Sequence, residues 1–265
     1  MTEETSPNLP ELLQAKIESK SIPLPRVWAM LALRSVLSFI LLLLTALLLS
    51  RLGSQSAIDD ASAWWLWFVT VTNIVCILLL AFLAKREGMR LRDLYYVNGN
   101  SWKRDLAWFA LALAGTAVFA MLPGNLLATL LLGKGVSPNS LLIRPLPLAA
   151  IFPLFLLMPV TQGLAELPIY WGYVAPRLRA AGMKKWFVIC VIGLALSLQH
   201  LFFSFQLNWQ YDLWLALKFL PFALWTGFII ERRPSVLPYM MVLHLLMDSS
   251  LPVLTLLVSQ GTLTF

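Results

Sequence analysis

Residues 27–49 read VWAMLALRSVLSFILLLLTALLL, and this apolar run contains one charged residue, Arg34. A helix rises ~1.5 Å per residue, so about 20 apolar residues are enough to cross a ~30 Å hydrocarbon core. In the whole chain, 59% of residues are hydrophobic, 12% are charged and the mean hydropathy is +0.78. A soluble core cannot bury so much apolar surface, which predicts a protein embedded in lipid.

Comparable apolar runs recur along the sequence. We predict an all-α polytopic membrane helix bundle with seven spanning helices, and a short interfacial or re-entrant helix at residues 125–132, which are too few to cross. A cytoplasmic segment at residues 1–26 precedes a single transmembrane domain at residues 27–265. The predicted spans are residues 27–49, 63–83, 106–122, 148–175 (long and interrupted), 186–205, 213–230 and 236–258.

The basic residues are unevenly distributed between the two ends of this bundle. Fifteen of the 20 Lys and Arg residues fall on one side of the membrane, and three, Arg51, Lys134 and Arg144, fall on the other. Because basic loops are retained in the cytoplasm, the N-terminus is predicted inside and the C-terminus outside.

The basic residues lie in short loops, which argues against nucleic-acid binding. The acidic N-terminal stretch argues against a cleaved signal peptide.

Ionisable side chains are costly inside a membrane, so each one in a predicted span is a functional candidate. Arg34 and Lys218 lie about two turns from their helix ends, and we expect both to reach the headgroup region. The deeper candidates are Glu166, His200, His244 and Asp248. Counted from the basic ends of their helices, all four lie at a depth of roughly 16–22 Å. They are therefore predicted to form one buried site.

Two histidines and two carboxylates can support hydrolysis in two ways. All four are candidate ligands of a divalent metal such as zinc, or a carboxylate and a histidine can activate water directly. The structural alternative is that His200 and His244 bond neighbouring backbone or hydroxyl groups while Asp248 pairs with Lys218. The residues alone leave these alternatives open.

Three motifs follow in order on separate predicted spans within residues 148–258. They read ELPIYWGY from Glu166, LSLQH ending at His200, and HLLMD from His244 to Asp248. The motifs resemble E-E-x-x-x-R-G, F-x-x-x-H and H-x-x-x-N/D, the pattern of the CAAX protease and bacteriocin-processing (CPBP, Abi) family of intramembrane endopeptidases, which is related to the type II CAAX prenyl endopeptidases. The N-terminal third resembles the family only as generic membrane helices.

Three positions depart from the family pattern. Leu167 replaces the second Glu, Trp171 replaces the Arg, and Leu196 replaces the Phe. The missing Glu and Arg would face each other one helical turn apart. Removing both members of a buried pair is often neutral, whereas removing one strands a charge. The double change is therefore compatible both with an intact site and with a branch that lost or changed its chemistry.

The resemblance implies an endopeptidase of a bacterial cytoplasmic membrane that cleaves a membrane-associated or lipid-modified peptide, with membrane lipid as its other partner. Glu166 would be the general base and His200 would orient or deprotonate the water. His244 and Asp248 would stabilise the oxyanion or hold a metal. An ionised Asp248 cannot donate to an oxyanion, so it must be protonated, bind a metal or orient His244.

Two other function classes fit the same residues. A non-catalytic binding or immunity module would keep the cavity, with Trp171 occluding the site. A proton-coupled transporter would use Glu166 and the histidines as a proton relay. The sequence shows no internal repeat of the kind that many transporters have, which disfavours the second alternative.

Overall fold

The computed structural model describes residues 9–95 and 101–265. Within these residues every regular element is helical, and seven segments are long and apolar enough to cross a membrane. The predicted all-α polytopic bundle is confirmed. The α-helices in chain order are α1 (Leu9–Glu18), α2 (Leu24–Arg51), α3 (Ala57–Ser62), α4 (Trp65–Arg86), α5 (Trp102–Leu131), α6 (Asn139–Leu142), α7 (Leu148–Ile151), α8 (Leu154–Leu167), α9 (Ala175–Ala180), α10 (Lys185–Phe203), α11 (Trp209–Lys218), α12 (Leu220–Arg232), α13 (Leu237–Asp248) and α14 (Ser250–Ser259).

The seven spanning segments coincide with the seven predicted spans. Four of them are single helices, and the other three combine several helices. The segments are Leu24–Arg51, Trp65–Arg86, Trp102–Leu131, Leu148–Ala180, Lys185–Phe203, Trp209–Arg232 and Pro234–Ser259. The predicted interruption of the fourth segment is confirmed, because α7, α8, a π-helical stretch at Pro168–Val174 and α9 follow one another within it.

The separate helix predicted at residues 125–132 is wrong, because α5 runs without a break through Pro123 to Leu131. Its 30 residues rise about 45 Å, which matches a bilayer with its headgroup regions rather than the hydrocarbon core alone. Membrane helices tolerate an internal proline where neighbouring groups satisfy the freed backbone. Next to this proline, the Gly124 carbonyl accepts a 2.9 Å hydrogen bond from the Trp214 indole, which ties α5 to α11.

Three spanning segments change helix type or divide into two successive helices. A π-helical stretch follows α8 at Pro168, α11 gives way to α12 at Phe219, and α13 gives way to α14 at Ser249. A proline lies at each break or shortly after it, at Pro168, Pro221 and Pro252. Because proline lacks an N–H and crowds the preceding turn, these positions weaken the regular helix ladder.

Helices α8 and α10 form the centre of the bundle. Helix α8 packs against α4 and α13, and α10 packs against α2 and α12. Helix α5 covers the outside of α11 and α12. The central helices α8 and α10 carry Glu166 and His200, so the packing places two candidate residues in the interior.

A buried carboxylate connects three helices at the end of the bundle that carries most of the Lys and Arg residues. Glu87 accepts hydrogen bonds from Arg26 at 2.9 Å, from the Tyr173 hydroxyl at 2.9 Å and from Nε of Arg177 at 3.1 Å. The Arg177 side chain is fully buried. Some basic residues at this end therefore also hold α2, α4 and α9 together.

Two glycines on α5 give a matched test of the helix packing. A Cβ atom at Gly115 would lie 2.1 Å from the Trp225 ring, whereas one at Gly124 would lie 3.7 Å from its nearest neighbour. We expect Gly115→Ala to destabilise the protein by about 1–3 kcal/mol through overpacking. Gly124→Ala should be neutral or gain up to about 1 kcal/mol of helix propensity. Thermal unfolding in detergent measures both, and equal melting temperatures would contradict the packing described here.

Candidate functional site

Glu166 lies in the last turn of α8 and is completely buried. Its Oε2 atom accepts hydrogen bonds from Nη2 of Arg34 at 2.8 Å and from Nε2 of Gln162 at 2.6 Å. Arg34 is also completely buried, on α2. The expectation that Arg34 reaches the headgroups is therefore wrong, because its guanidinium points into the bundle and pairs with Glu166.

The rest of the Arg34 guanidinium binds uncharged amides. Nε donates to Oε1 of Gln199 at 2.7 Å, Nη2 donates to Oε1 of Gln162 at 3.1 Å, and Nη1 donates to Oδ1 of Asn73. The Tyr170 hydroxyl also donates to Gln199, at 3.0 Å. These contacts connect α2, α4, α8 and α10 through one polar network, which compensates the desolvation of the buried charge.

The amides of this network are not among the residues predicted from the sequence, because only ionisable side chains were candidates there. Asn73, Gln162 and Gln199 all lie within apolar spans and are almost completely buried. Burying a polar amide without a partner is costly, so an amide inside a span signals a hydrogen-bonded partner there. That signal was present in the sequence, but it does not reveal which helix supplies the partner.

His244 lies on α13 between the two candidate carboxylates. Its Nε2 atom is 3.1 Å from Oδ2 of Asp248 and 3.4 Å from Oε1 of Glu166. The amide nitrogen of Gln162 is 3.2 Å from the same ring atom. Ionised carboxylates only accept hydrogen bonds, so a proton on Nε2 satisfies the contact with Asp248. Oε1 of Glu166 is buried and has no hydrogen-bond partner in the described part of the chain.

His200 lies on α10 and contacts its own backbone. Its Nδ1 atom is 2.9 Å from the carbonyl oxygen of Leu196, and its ring centroid is 4.0 Å from that of Phe219. A carbonyl can only accept, so Nδ1 carries the proton and, in the neutral ring, Nε2 remains an acceptor. The backbone contact is the one that the structural alternative expects, and it leaves Nε2 free for another partner.

Glu166, His200, His244 and Asp248 all line one cavity of about 210 Å³. The cavity also reaches Trp65 at the start of α4 and Asn139 at the start of α6. Both positions belong to the end of the bundle opposite the basic loops. The four candidates are thus brought together at the bottom of a cavity that extends toward that end.

The sequence left two alternatives open, one for the partner of Asp248 and one for a metal. The Asp248 carboxylate contacts His244, and no ion pair with Lys218 is formed among the described residues. In residues 9–95 and 101–265, no three His, Cys, Asp or Glu side chains are arranged to hold a metal ion. Zinc binding by the four candidate residues stays a prediction.

Trp171 does not line the cavity that contains Glu166. Its ring packs against Gly227, where a Cβ atom would lie 2.5 Å away, and borders a second cavity near α1. Leu167 is buried in the apolar core, with 2% of its surface exposed. Of the three residues that depart from the family pattern, Leu196 lines the candidate cavity, whereas Leu167 and Trp171 do not.

Comparisons with models of protein families, with characterised protein sequences and with solved structures found no match for this chain. The family resemblance is carried by the three short motifs alone.

Arg34→Met tests the buried ion pair, because it leaves the Glu166 carboxylate buried without its cation. We expect a loss of about 3–5 kcal/mol in stability, part of which returns in the double variant Arg34→Met/Glu166→Gln. Arg26→Met is the matched control: Arg26 is partly exposed and Glu87 keeps Arg177, so the loss should be about 0–1 kcal/mol. Thermal or denaturant unfolding of purified protein measures these differences. Equal losses in the two single variants would contradict a special role for the Arg34 pair.

Proposed function

We propose that this chain is an intramembrane endopeptidase that uses Glu166 to activate water for hydrolysis of a peptide bond. The observation that carries the proposal is the state of the Glu166 carboxylate. Oε2 is held by Arg34 and Gln162, while Oε1 is buried without a hydrogen bond among the described residues, 3.4 Å from Nε2 of His244, and Glu166 lines the cavity. A carboxylate that is held at one oxygen and keeps an unused acceptor at the other is suited to general-base catalysis.

The other cavity residues have complementary roles in this reaction. Oε1 of Glu166 takes a proton from water that Nε2 of His200 orients, and the resulting hydroxide adds to the peptide carbonyl carbon. The one proton on Nε2 of His244, which faces Asp248 in the resting site, is donated in a bifurcated hydrogen bond to Asp248 and to the developing oxyanion. The C–N bond then breaks, and the proton on Glu166 passes to the leaving amine. Asp248 thus acts by orienting His244.

The substrate class follows from the position of the site. Glu166 is buried at mid-membrane depth and the cavity is lined mainly by apolar residues. A soluble peptide would have to lose its hydration to enter, whereas a membrane-associated or lipid-modified peptide already lies in the bilayer. We therefore propose a membrane-associated or lipid-modified peptide as the substrate. The non-catalytic alternative relied on Trp171 occluding the site, and that residue lies elsewhere.

The hydrolysis test uses quenched fluorescent peptides, with and without a lipid group, and the detergent-purified protein. We expect cleavage by the wild type and a loss of about 10²–10⁴-fold in rate for Glu166→Gln, which removes the general base. His244→Ala should lose rate to a similar degree. Glu231→Gln, at the basic end of α12, is the control and should retain the wild-type rate. A chelator should have no effect if water is activated by Glu166 alone.

Full activity of Glu166→Gln would contradict the proposed mechanism. A folded wild-type protein that cleaves none of these peptides would contradict the endopeptidase proposal and favour the non-catalytic binding module.

The orientation of the chain is part of the same proposal. The excess of Lys and Arg at one end favours that end in the cytoplasm of a bacterial cell, with the cavity directed to the outer face. Lys134 and Lys184 are exposed and lie at opposite ends of the bundle. In intact cells, a membrane-impermeant maleimide should label Lys134→Cys and spare Lys184→Cys until the cells are lysed. The reverse pattern would overturn this orientation.

A further inference from the structure

Lys218 is a basic residue that the proposed reaction does not use. It is the last residue of α11, beside the break at Phe219, and it lines the cavity that contains Glu166 and His200. Its ammonium group lies 3.9 Å from the centroid of the Trp214 ring and 4.5 Å from that of Phe219. The cation therefore rests on two aromatic faces inside the cavity instead of reaching the headgroups.

The acidic groups that share the cavity with Lys218 are engaged elsewhere. The Glu166 carboxylate pairs with Arg34, and the Asp248 carboxylate contacts His244. In the described parts of the chain, Lys218 makes aromatic contacts but neither a hydrogen bond nor an ion pair. Aromatic faces attract a cation, but they do not supply the hydrogen-bond acceptors that an ammonium group has in water. Lys218 is thus a cation whose donors face the cavity unsatisfied.

We propose that Lys218 binds a carboxylate of the substrate, so that the protein selects peptides that carry an acidic group close to the cleaved bond. This proposal rests on the proposed endopeptidase function and specifies its substrate. Phe219 contacts both Lys218 and the His200 ring, which places the two groups on neighbouring walls of one cavity. A carboxylate bound to Lys218 would thus lie next to the peptide bond that Glu166 and His200 act on.

The charge balance favours a carboxylate over a more highly charged anion. With His244 protonated, Glu166 and Asp248 balance Arg34 and His244. Lys218 is then the cation of this site without an anionic partner, so a single negative charge completes the pairing. A doubly charged phosphate would leave one charge buried without a partner, which is costly in apolar surroundings. The carboxylate can come from the C-terminus of a peptide or from an Asp or Glu side chain.

The test measures binding separately from cleavage. Three dye-labelled probes differ in the presence and the position of a carboxylate: pentaleucine with a free C-terminal carboxylate, pentaleucine amide, and the amide of Leu-Leu-Glu-Leu-Leu. Fluorescence polarisation reports their binding to detergent-purified wild type, Lys218→Met, Lys218→Arg and Lys134→Met. Lys134 is exposed in a loop near the same end of the bundle, which makes Lys134→Met a matched control for charge. Thermal unfolding verifies that each variant is folded.

We expect the free acid to bind the wild type about tenfold more tightly than pentaleucine amide, since a charge-assisted hydrogen bond is gained. Lys218→Met should abolish this preference, while Lys218→Arg and Lys134→Met should retain it. The glutamate-containing amide distinguishes the two sources of the carboxylate. This peptide should bind as tightly as the free acid if Lys218 accepts a side-chain carboxylate. It should bind as weakly as the neutral amide if Lys218 requires the C-terminal carboxylate.

A preference that persists in folded Lys218→Met, or that is absent from the wild type, would overturn the Lys218 proposal. Cleavage without any preference for the acid would support the endopeptidase proposal and contradict the Lys218 proposal. A preference that depends on Lys218 without cleavage would support the site while contradicting the endopeptidase.

Discussion

The buried ion pair between Arg34 and Glu166 is the interaction on which the rest of the structure depends. Both side chains are completely buried, and the two atoms joined by the pair are 2.8 Å apart. Two charges in a membrane interior are tolerated only when geometry and surrounding hydrogen bonds offset their desolvation. The amides of Asn73, Gln162 and Gln199 provide those bonds. The positions of four spanning segments are therefore fixed by the requirements of one pair of charges.

The cavity next to this pair exists because the surrounding helices are irregular. Breaks at Pro168, Phe219 and Ser249 interrupt three of the spanning segments whose residues line or border it. Non-helical backbone at membrane depth is tolerated where it is buried in protein or lines a cavity. Each break closely follows a side chain that lines the cavity, since Pro168 follows Glu166, Phe219 follows Lys218 and Ser249 follows Asp248. The irregular backbone and the candidate chemistry therefore lie next to each other.

The sequence predicted the features that depend on distance along a helix. The seven spans follow from apolar length, and the meeting of Glu166, His200, His244 and Asp248 around one cavity follows from their matched depth. Features that depend on the rotation of a helix were not predictable in this way. Depth alone places Arg34 near the headgroups, but the packing of α2 against α10 turns its side chain inward.

The continuation of α5 through Pro123 was missed for a related reason. Proline and glycine at positions 123 and 124 form a helix-ending signal when only the local sequence is considered. The tie between the Gly124 carbonyl and Trp214 comes from a helix about 90 residues later in the chain. This contact between distant residues overrides the local preference for ending the helix, and it cannot be predicted from the sequence around Pro123.

The partner of Glu166 also bears on how this chain differs from the family pattern that its motifs resemble. That pattern has an arginine on the helix of the glutamate, at the position that Trp171 occupies here. In this chain Arg34 on α2 pairs with Glu166, while Trp171 packs against Gly227. The position of the carboxylate therefore depends on the docking of α2. Variants that loosen α2 should therefore disturb Glu166 as much as changes beside it.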